Sequence, residues 1–93
     1  MEKVICAAIK VKFKETDKEV IIPCVRHGYG YSIIHDLGLT NISCEEGFLT
    51  KEDRFLTRRE ALERAIECDQ LNACTIWYKR DHGETELYSE DLY

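Results

Sequence analysis

The chain has 93 residues and a formal net charge of −5, and 33% of its residues are charged. A chain of this length buries enough apolar surface for only one core, so we expect a single domain over residues 1–93. The acidic balance disfavours a nucleic-acid polymer or an anionic membrane as a partner, so any anion site must be local.

The first third of the chain predicts a β-hairpin followed by a short helix. Residues 3–14 begin with an apolar run and then alternate apolar residues with lysine, which is strand periodicity. A polar turn leads to a second strand, whose pairing we expect Pro23 to end. Arg26 and His27 would then lie at one end of the sheet, before a helix that Gly38 closes.

The middle of the chain predicts a connection, two short extended pieces and a well-defined helix. Residues 39–46 have the character of a connection, and the segments around Phe48 and Leu56 form either a second hairpin or two separate pieces. The sequence Thr57-Arg58-Arg59-Glu60 is a capping box, in which the threonine and glutamate side chains each bind a backbone amide. An apolar stripe then predicts a helix from 58 to about 69.

The last part of the chain favours extended structure. Residues 74–78 are β-prone, residues 81–84 form a turn, and Leu87 with Tyr88 is expected to pair back as a strand. Taken together, these elements predict an α+β fold with a small antiparallel sheet and two helices.

The amino-terminal segment and the cysteines indicate a reducing, cytoplasmic environment. The apolar run at Val4 to Ile9 is too short for a signal-peptide core or a membrane span. The five cysteines are odd in number and include no CxxC pair, which favours free thiols over a disulfide framework or a zinc site. We therefore expect neither a metal nor a cofactor.

A group of arginines at the start of the second predicted helix is the main candidate for chemistry. Arg58 and Arg59 occupy its first turn, where the helix dipole disfavours cations, and Arg54 lies just before it. Three guanidinium groups beside unpaired N–H groups suit a phosphate or a carboxylate. The alternative, which would leave no ligand site, is that they are solvated or neutralised by the protein's own acids, namely Glu60, Glu63, Glu90 and Asp91.

Arg26 and His27 are a second candidate, because arginine binds phosphate and histidine can donate to it or transfer a proton. The Arg-His-Gly sequence also resembles the signature of histidine phosphatases, whose histidine is phosphorylated. His27 would therefore be the catalytic residue if the protein were an enzyme. Those enzymes are much longer and need further basic residues, so a nonenzymatic protein with a structural histidine is favoured.

Several motifs resemble a widespread family of small phage and prophage proteins. Its pattern is an Ala-Ala-Ile start, an Arg-His centre, a Gly-Phe segment leading into an Arg-x-Glu-Ala helix, and a terminal Ser-Glu-Asp-Leu followed by tyrosine or tryptophan. In this chain the motifs lie at residues 4–9, 26–27, 47–50, 54–61 and 87–93. Two positions depart from some relatives, with Tyr29 in place of an acid and Asp69 in place of a glycine.

The resemblance implies a role in the conflict between phage and host, inside the host cytoplasm. Several small phage proteins sequester cyclic or ADP-ribose-derived nucleotide signals, and by analogy this protein would hold such a signal in an arginine-lined pocket. The acids of the terminal motif would bind arginine or ribose hydroxyls, with Leu92 and Tyr93 in an apolar groove. The candidate ligand-binding residues are Arg26, His27, Phe48, Arg54, Arg58, Arg59, Ser89, Glu90, Asp91 and Tyr93.

Two other functions stay open at this point. One is a small phosphohydrolase or phosphodiesterase in which His27 acts as acid or nucleophile. The other is an inhibitor that contacts a host protein through the carboxyl-terminal tail or the strand predicted around Trp77 and Tyr78. A homo-oligomer is expected under the nucleotide and inhibitor hypotheses, because so small a domain forms a large pocket most easily at a subunit interface.

Overall fold

The computed structural model describes residues 2–92 and shows a four-stranded antiparallel sheet with helices. The strands, in the sheet order β2-β1-β3-β4, are β1 (Val4–Phe13), β2 (Glu19–Cys24), β3 (Ile42–Thr50) and β4 (Phe55–Thr57). The helices are α1 (His27–Asp36), α2 (Arg58–Glu67), α3 (Ala73–His82) and the short α4 (Ser89–Leu92). The predicted α+β class is confirmed, although α3 and α4 were not expected.

The predicted first hairpin is present, and β1 is a central strand of the sheet. It pairs with β2 on one side and with β3 on the other, which explains why Ala7, Ile9 and Val11 are all buried. Pro23 does not end the pairing, as it lies inside β2 opposite Ala8. An edge strand tolerates proline, because the missing N–H can be one that would point away from the neighbouring strand.

Arg26 and His27 form a helix start and do not extend a strand. Arg26 is the N-cap residue of α1 and His27 is its first residue. The predicted end at Gly38 is confirmed, since this residue adopts a φ of +66° just past the helix. Inside α1, a Cβ on Gly30 would lie 2.6 Å from the Ile9 side chain, so this glycine lets the helix approach the sheet closely.

The prediction of a connection over 39–46 is wrong for its second half. Residues from Ile42 onward belong to β3 and pair with β1. Their polar sequence hid the strand, because the long β1 supplies the pairing partner while the side chains stay largely exposed. The second hairpin is confirmed, with Phe48 opposite Leu56.

The predictions of extended structure at 74–78 and 87–88 are also wrong. Residues 74–78 lie inside α3, where Asn72 accepts a hydrogen bond from the Thr75 amide at 2.8 Å and Gly83 ends the helix with a φ of +66°. These two caps outweigh the β-propensity of the residues between them. Leu87 belongs to no strand and is fully buried in the core.

The capping box of α2 is confirmed, and its apolar stripe faces the core. Thr57 and Glu60 exchange the two expected hydrogen bonds, at 3.2 and 3.0 Å. The helix ends at Glu67, about two residues earlier than predicted. The larger apolar cluster consists of Val4, Ala7, Phe48, Leu56, Ala61, Leu62, Ala65, Leu71 and Leu87, and the smaller one of Ile9, Val11 and Ile34.

Two further findings concern the described residues as a whole. No helix within residues 2–92 has the length and apolar character needed to cross a membrane. All five cysteines lie in this range, and none of them is joined to another in a disulfide.

Candidate functional site

An open cleft of about 360 Å³ lies where α2 begins. The β3–β4 hairpin brings these parts together, because it places Gly47 opposite Thr57, the residue that caps α2. A Cβ on Gly47 would lie 2.2 Å from the carbonyl oxygen of Leu56, so only glycine permits this approach. The cleft is lined by Glu45, Glu46, Thr57, Arg58, Arg59, Thr85 and Glu86.

Arg58 is the centre of a partly buried network beside this cleft. Its guanidinium donates to one carboxylate oxygen of Glu46 and, at 2.9 Å, to the carbonyl of Leu87. It also lies 3.2 Å from Nδ1 of His27. The hydroxyl of Tyr31 donates to the other Glu46 oxygen at 2.8 Å. The network therefore connects the starts of α1 and α2 to β3 and to the carboxyl-terminal segment.

His27 is buried, and both of its ring nitrogens are engaged. Nε2 lies 2.8 Å from the carbonyl oxygen of Gly47. A carbonyl can only accept, so Nε2 carries the hydrogen and Nδ1 accepts from Arg58. The ring also meets Phe48 edge to face at a centroid distance of 5.4 Å. His27 thus holds α1 against β3. Phe48 was predicted to contact the ligand, but its side chain is fully buried in the core.

The charges of the network are set by its own contacts. Hydrogen bonds from Arg58 and then Tyr31 hold the pKa of Glu46 below its ordinary value. Burial, followed by the hydrogen bond to Glu46, raises the pKa of Tyr31 to about 12. At neutral pH, Glu46 is therefore a carboxylate that neutralises Arg58, and Tyr31 is a neutral donor.

Arg54 is also neutralised inside the protein and does not line the cleft. Its Nε and Nη2 donate to the two carboxylate oxygens of Glu2 at 2.7 and 2.6 Å. The hydroxyl of Thr50 donates to the same carboxylate at 2.7 Å. The contacts to Arg54 and then Thr50 lower the pKa of Glu2 to about 2. Both Arg54 and Arg58 are thus paired inside the protein, but with Glu2 and Glu46 and not with the acids that the sequence suggested.

Arg59 differs from both of these arginines. It lines the cleft, it is exposed, and it makes neither a hydrogen bond through its side chain nor an ion pair with any residue from 2 to 92. Of the three arginines predicted around this helix start, Arg59 is therefore the one available to a ligand. Arg26, at the cap of α1, is not among the residues that line the cleft.

The sequence profile of the phage T4 y16D protein family matches residues 3–93. The chain belongs to this family. The match confirms the resemblance to small phage proteins at the level of the family. No curated protein and no solved structure matches the chain. The chemistry of this y16D family member must therefore be inferred from its own residues.

The carboxyl-terminal motif of this y16D family member is docked by a lysine. Asp91 lies 2.9 Å from Nζ of the buried Lys79 and accepts from the Tyr88 amide at 2.9 Å. Ser89 is buried at the start of α4, and Glu90 is exposed. Leu92 packs against the larger apolar cluster, and the predicted contact of Tyr93 lies outside the described residues.

Sequence reasoning missed several residues that shape this part of the y16D fold. Glu45 and Glu46 were placed in a connection, and Lys79 was placed just beyond a strand. The available signal for Lys79 was the pair of helix caps at Asn72 and Gly83, which would have predicted α3. For Glu86, an exposed residue in an irregular segment, no local signal was available.

Proposed function

We propose that this phage protein binds and sequesters a nucleotide-type signal, ADP-ribose-derived or cyclic, in the cleft where α2 begins. The observation that carries the proposal is the exposed guanidinium of Arg59, which has no internal partner among residues 2–92. A cation in the first turn of a helix is unfavourable by itself. A bound phosphate would relieve this repulsion and would also accept hydrogen bonds from backbone N–H groups of the first turn other than that of Glu60, which Thr57 already binds.

The acids of the cleft favour a ligand that carries hydroxyl groups as well as phosphate. Carboxylates accept hydrogen bonds from the hydroxyls of a ribose. Glu45 and Glu86 are suited to this role, because their closest cations, Lys10 and Arg58, are 3.9 and 4.0 Å away. The same acids repel a bare polyanion, so a ribose-containing ligand with few charges fits the cleft better than inorganic polyphosphate.

The roles of the predicted residues become more specific in this proposal. Arg59 is the phosphate contact, whereas Arg58 and His27 are positioning residues that hold the cleft walls together. Arg54 stabilises the fold through Glu2, and the acids Glu45 and Glu86 replace Glu90 and Asp91 as the hydroxyl acceptors.

Calorimetric titration with ADP-ribose and with a cyclic dinucleotide tests the proposal. We expect micromolar binding of at least one ligand, and about a ten-fold to hundred-fold loss of affinity for Arg59→Ala, because a charged hydrogen bond is removed. Arg80→Ala is the matched control, since Arg80 is an exposed arginine on α3 away from the cleft lining. Absence of heat with both ligands, or equal losses for the two variants, would contradict the proposal.

Chromatography of the bound ligand separates sequestration from hydrolysis. We expect the intact ligand to be recovered after the protein is denatured, because the ring nitrogens of His27 are engaged by Gly47 and Arg58. Recovery of a cleaved product would instead support the phosphohydrolase.

A second candidate is an inhibitor that contacts a host protein through α3. Trp77 is 69% exposed and lies beside Ala73 and Cys74 in an apolar depression of about 400 Å³. Exposed tryptophan is enriched at protein interfaces. This candidate takes precedence if neither nucleotide binds.

A further inference from the structure

The outer face of α1 and the turn after it carry a row of exposed apolar side chains. Tyr29, Ile33 and Leu37 are spaced four residues apart, which places them in one ridge. Their exposures are 63%, 42% and 63%. The residues that α1 buries are on its other face: His27, Gly30 and Ile34. Residues 2–92 therefore leave much of the ridge uncovered.

The segment that carries this ridge is almost free of charge. Asp36 is the one acidic or basic residue, histidine aside, between positions 27 and 44, although 33% of the whole chain is charged. A helix face that remains in water in such a protein would be expected to share its charged composition. Loss of charge together with an exposed aromatic residue is typical of the core of a protein interface.

A groove of small residues runs directly beside the ridge. Gly28 and Ser32 are also four positions apart, and each precedes a ridge residue. A Cβ on Gly28 would meet nothing within 4 Å, and its φ is not positive, so the chain itself does not require this glycine. Gly28 is the second residue of α1, and glycine loses more conformational freedom on folding than alanine does. A glycine at this exposed position is accounted for if a second helix packs closely against it, because a larger side chain would hold the two helices apart.

The two rows make the face of α1 complementary to itself. When the i±4 ridge of one helix enters the i±4 groove of another, the helices cross at about −50°. The ends of α1 agree with an antiparallel arrangement. Its first turn has no acid and no side-chain cap. The exposed Asp36 lies at its carboxyl end, where an acid is unfavourable, and its carboxylate there lies 3.6 Å from Nδ1 of the equally exposed His35. In an antiparallel pair, Asp36 of each copy approaches the helix start of the other.

The neighbouring edge strand offers a poorer surface for a second copy. Pro23 lacks an N–H group and lies inside β2, the edge strand, which weakens pairing with another strand. From the ridge, the groove, the missing charge and the helix ends, we infer that the protein is a homodimer whose copies contact through antiparallel α1 helices. This symmetric contact goes beyond the proposed function and needs no ligand.

Sedimentation equilibrium of the full chain under reducing conditions tests the dimer. We expect a mass twice the 10.9 kDa of the chain at micromolar concentration. Ile33→Asp places a charge in the ridge and should give a monomer. Trp77→Asp is the matched control, because it makes the same kind of change in the exposed face of α3 and should leave the dimer intact.

Gly28→Gln gives a second test that does not depend on destabilising the chain. A side chain at this position has room in the monomer but fills the groove, so the circular dichroism spectrum should be unchanged while dimer affinity falls about ten-fold or more. A mass of 10.9 kDa for the wild-type protein at all concentrations would overturn the inference. So would a dimer that survives both α1 variants, or one that is lost only with Trp77→Asp.

Discussion

Neighbours in space decide what each arginine of this protein does. Arg54, Arg58 and Arg59 lie within six consecutive positions. Arg54 is bound to Glu2, Arg58 is bound to Glu46, and Arg59 faces the cleft without an internal partner among residues 2–92. The first two stabilise the protein, so only the third is offered to a ligand.

The pair formed by Glu2 and Arg54 predicts a dependence of stability on pH. The folded-state pKa of Glu2 is about 2, against an ordinary value of 4.5. Between these values the unfolded chain binds more protons than the folded protein, so the free energy of unfolding falls as the pH falls. We expect Glu2→Gln to destabilise the protein at neutral pH and to match the wild type near pH 2.

Urea unfolding at several pH values between neutral and 2 measures this effect. Glu63→Gln is the control, because Glu63 is exposed and makes no side-chain hydrogen bond or ion pair within residues 2–92. A difference between Glu2→Gln and the wild type that stays constant across the pH range would show that the pair has no such role.

At the scale of the element, helix caps were more informative than residue propensities. The capping box at Thr57 predicted the start of α2 correctly, because both of its hydrogen bonds join residues three positions apart. The β-propensity of residues 74–78 predicted a strand where the protein forms α3. The caps of this helix, Asn72 and Gly83, would have predicted it correctly. The polar half of β3 was missed because its partners in β1 lie 29 to 37 positions earlier in the chain, from Phe13 opposite Ile42 to Ile9 opposite Glu46.

Thr57→Ala tests the contribution of the α2 cap. We expect it to lower the free energy of unfolding by about 1 kcal/mol, because the Glu60 amide loses its acceptor. Thr40→Ala, at an exposed position outside every helix and strand, should change stability by less than about 0.5 kcal/mol. Equal effects in a urea titration would mean that the cap contributes nothing specific.

At the scale of the whole molecule, a buried lysine fastens the carboxyl-terminal segment to α3. Nζ of Lys79 lies 3.0 Å from the carbonyl of Glu86, 3.4 Å from Glu84 and 2.9 Å from Asp91. Between these contacts, the fully buried Leu87 inserts into the core. The carbonyl of Leu87 accepts a hydrogen bond from Arg58, which lines the cleft. Thr85 and Glu86 of the same segment also line the cleft, so docking of this segment completes it.

Lys79→Met should release this segment. The change leaves the partly buried Asp91 without its cation, which we expect to cost about 3 kcal/mol of unfolding free energy. Relative to the wild type, hydrogen exchange in Lys79→Met should accelerate more over residues 84–92 than over β1. Adding Asp91→Asn should recover part of the loss, because the less exposed of the two carboxylates that paired with Lys79 then carries no charge, while Glu84 still does.

Lys51→Met is the control for this experiment, since Lys51 is exposed and its side chain has no ion pair within the described range. Unchanged exchange over 84–92 in Lys79→Met would show that Leu87 and Leu92 hold the segment without the lysine.

The sequence by itself determined the α+β class, the first hairpin, the end of α1 just before Gly38 and the start of α2, because periodicity, turns and caps act between residues close together in the chain. Only the tertiary structure decided which arginine remains available and how the carboxyl-terminal segment docks. Glu2 and Arg54 are 52 positions apart, and Arg58 and Leu87 are 29 apart. Charge pairing depends on distance in space, and folding alone brings such residues within hydrogen-bonding reach.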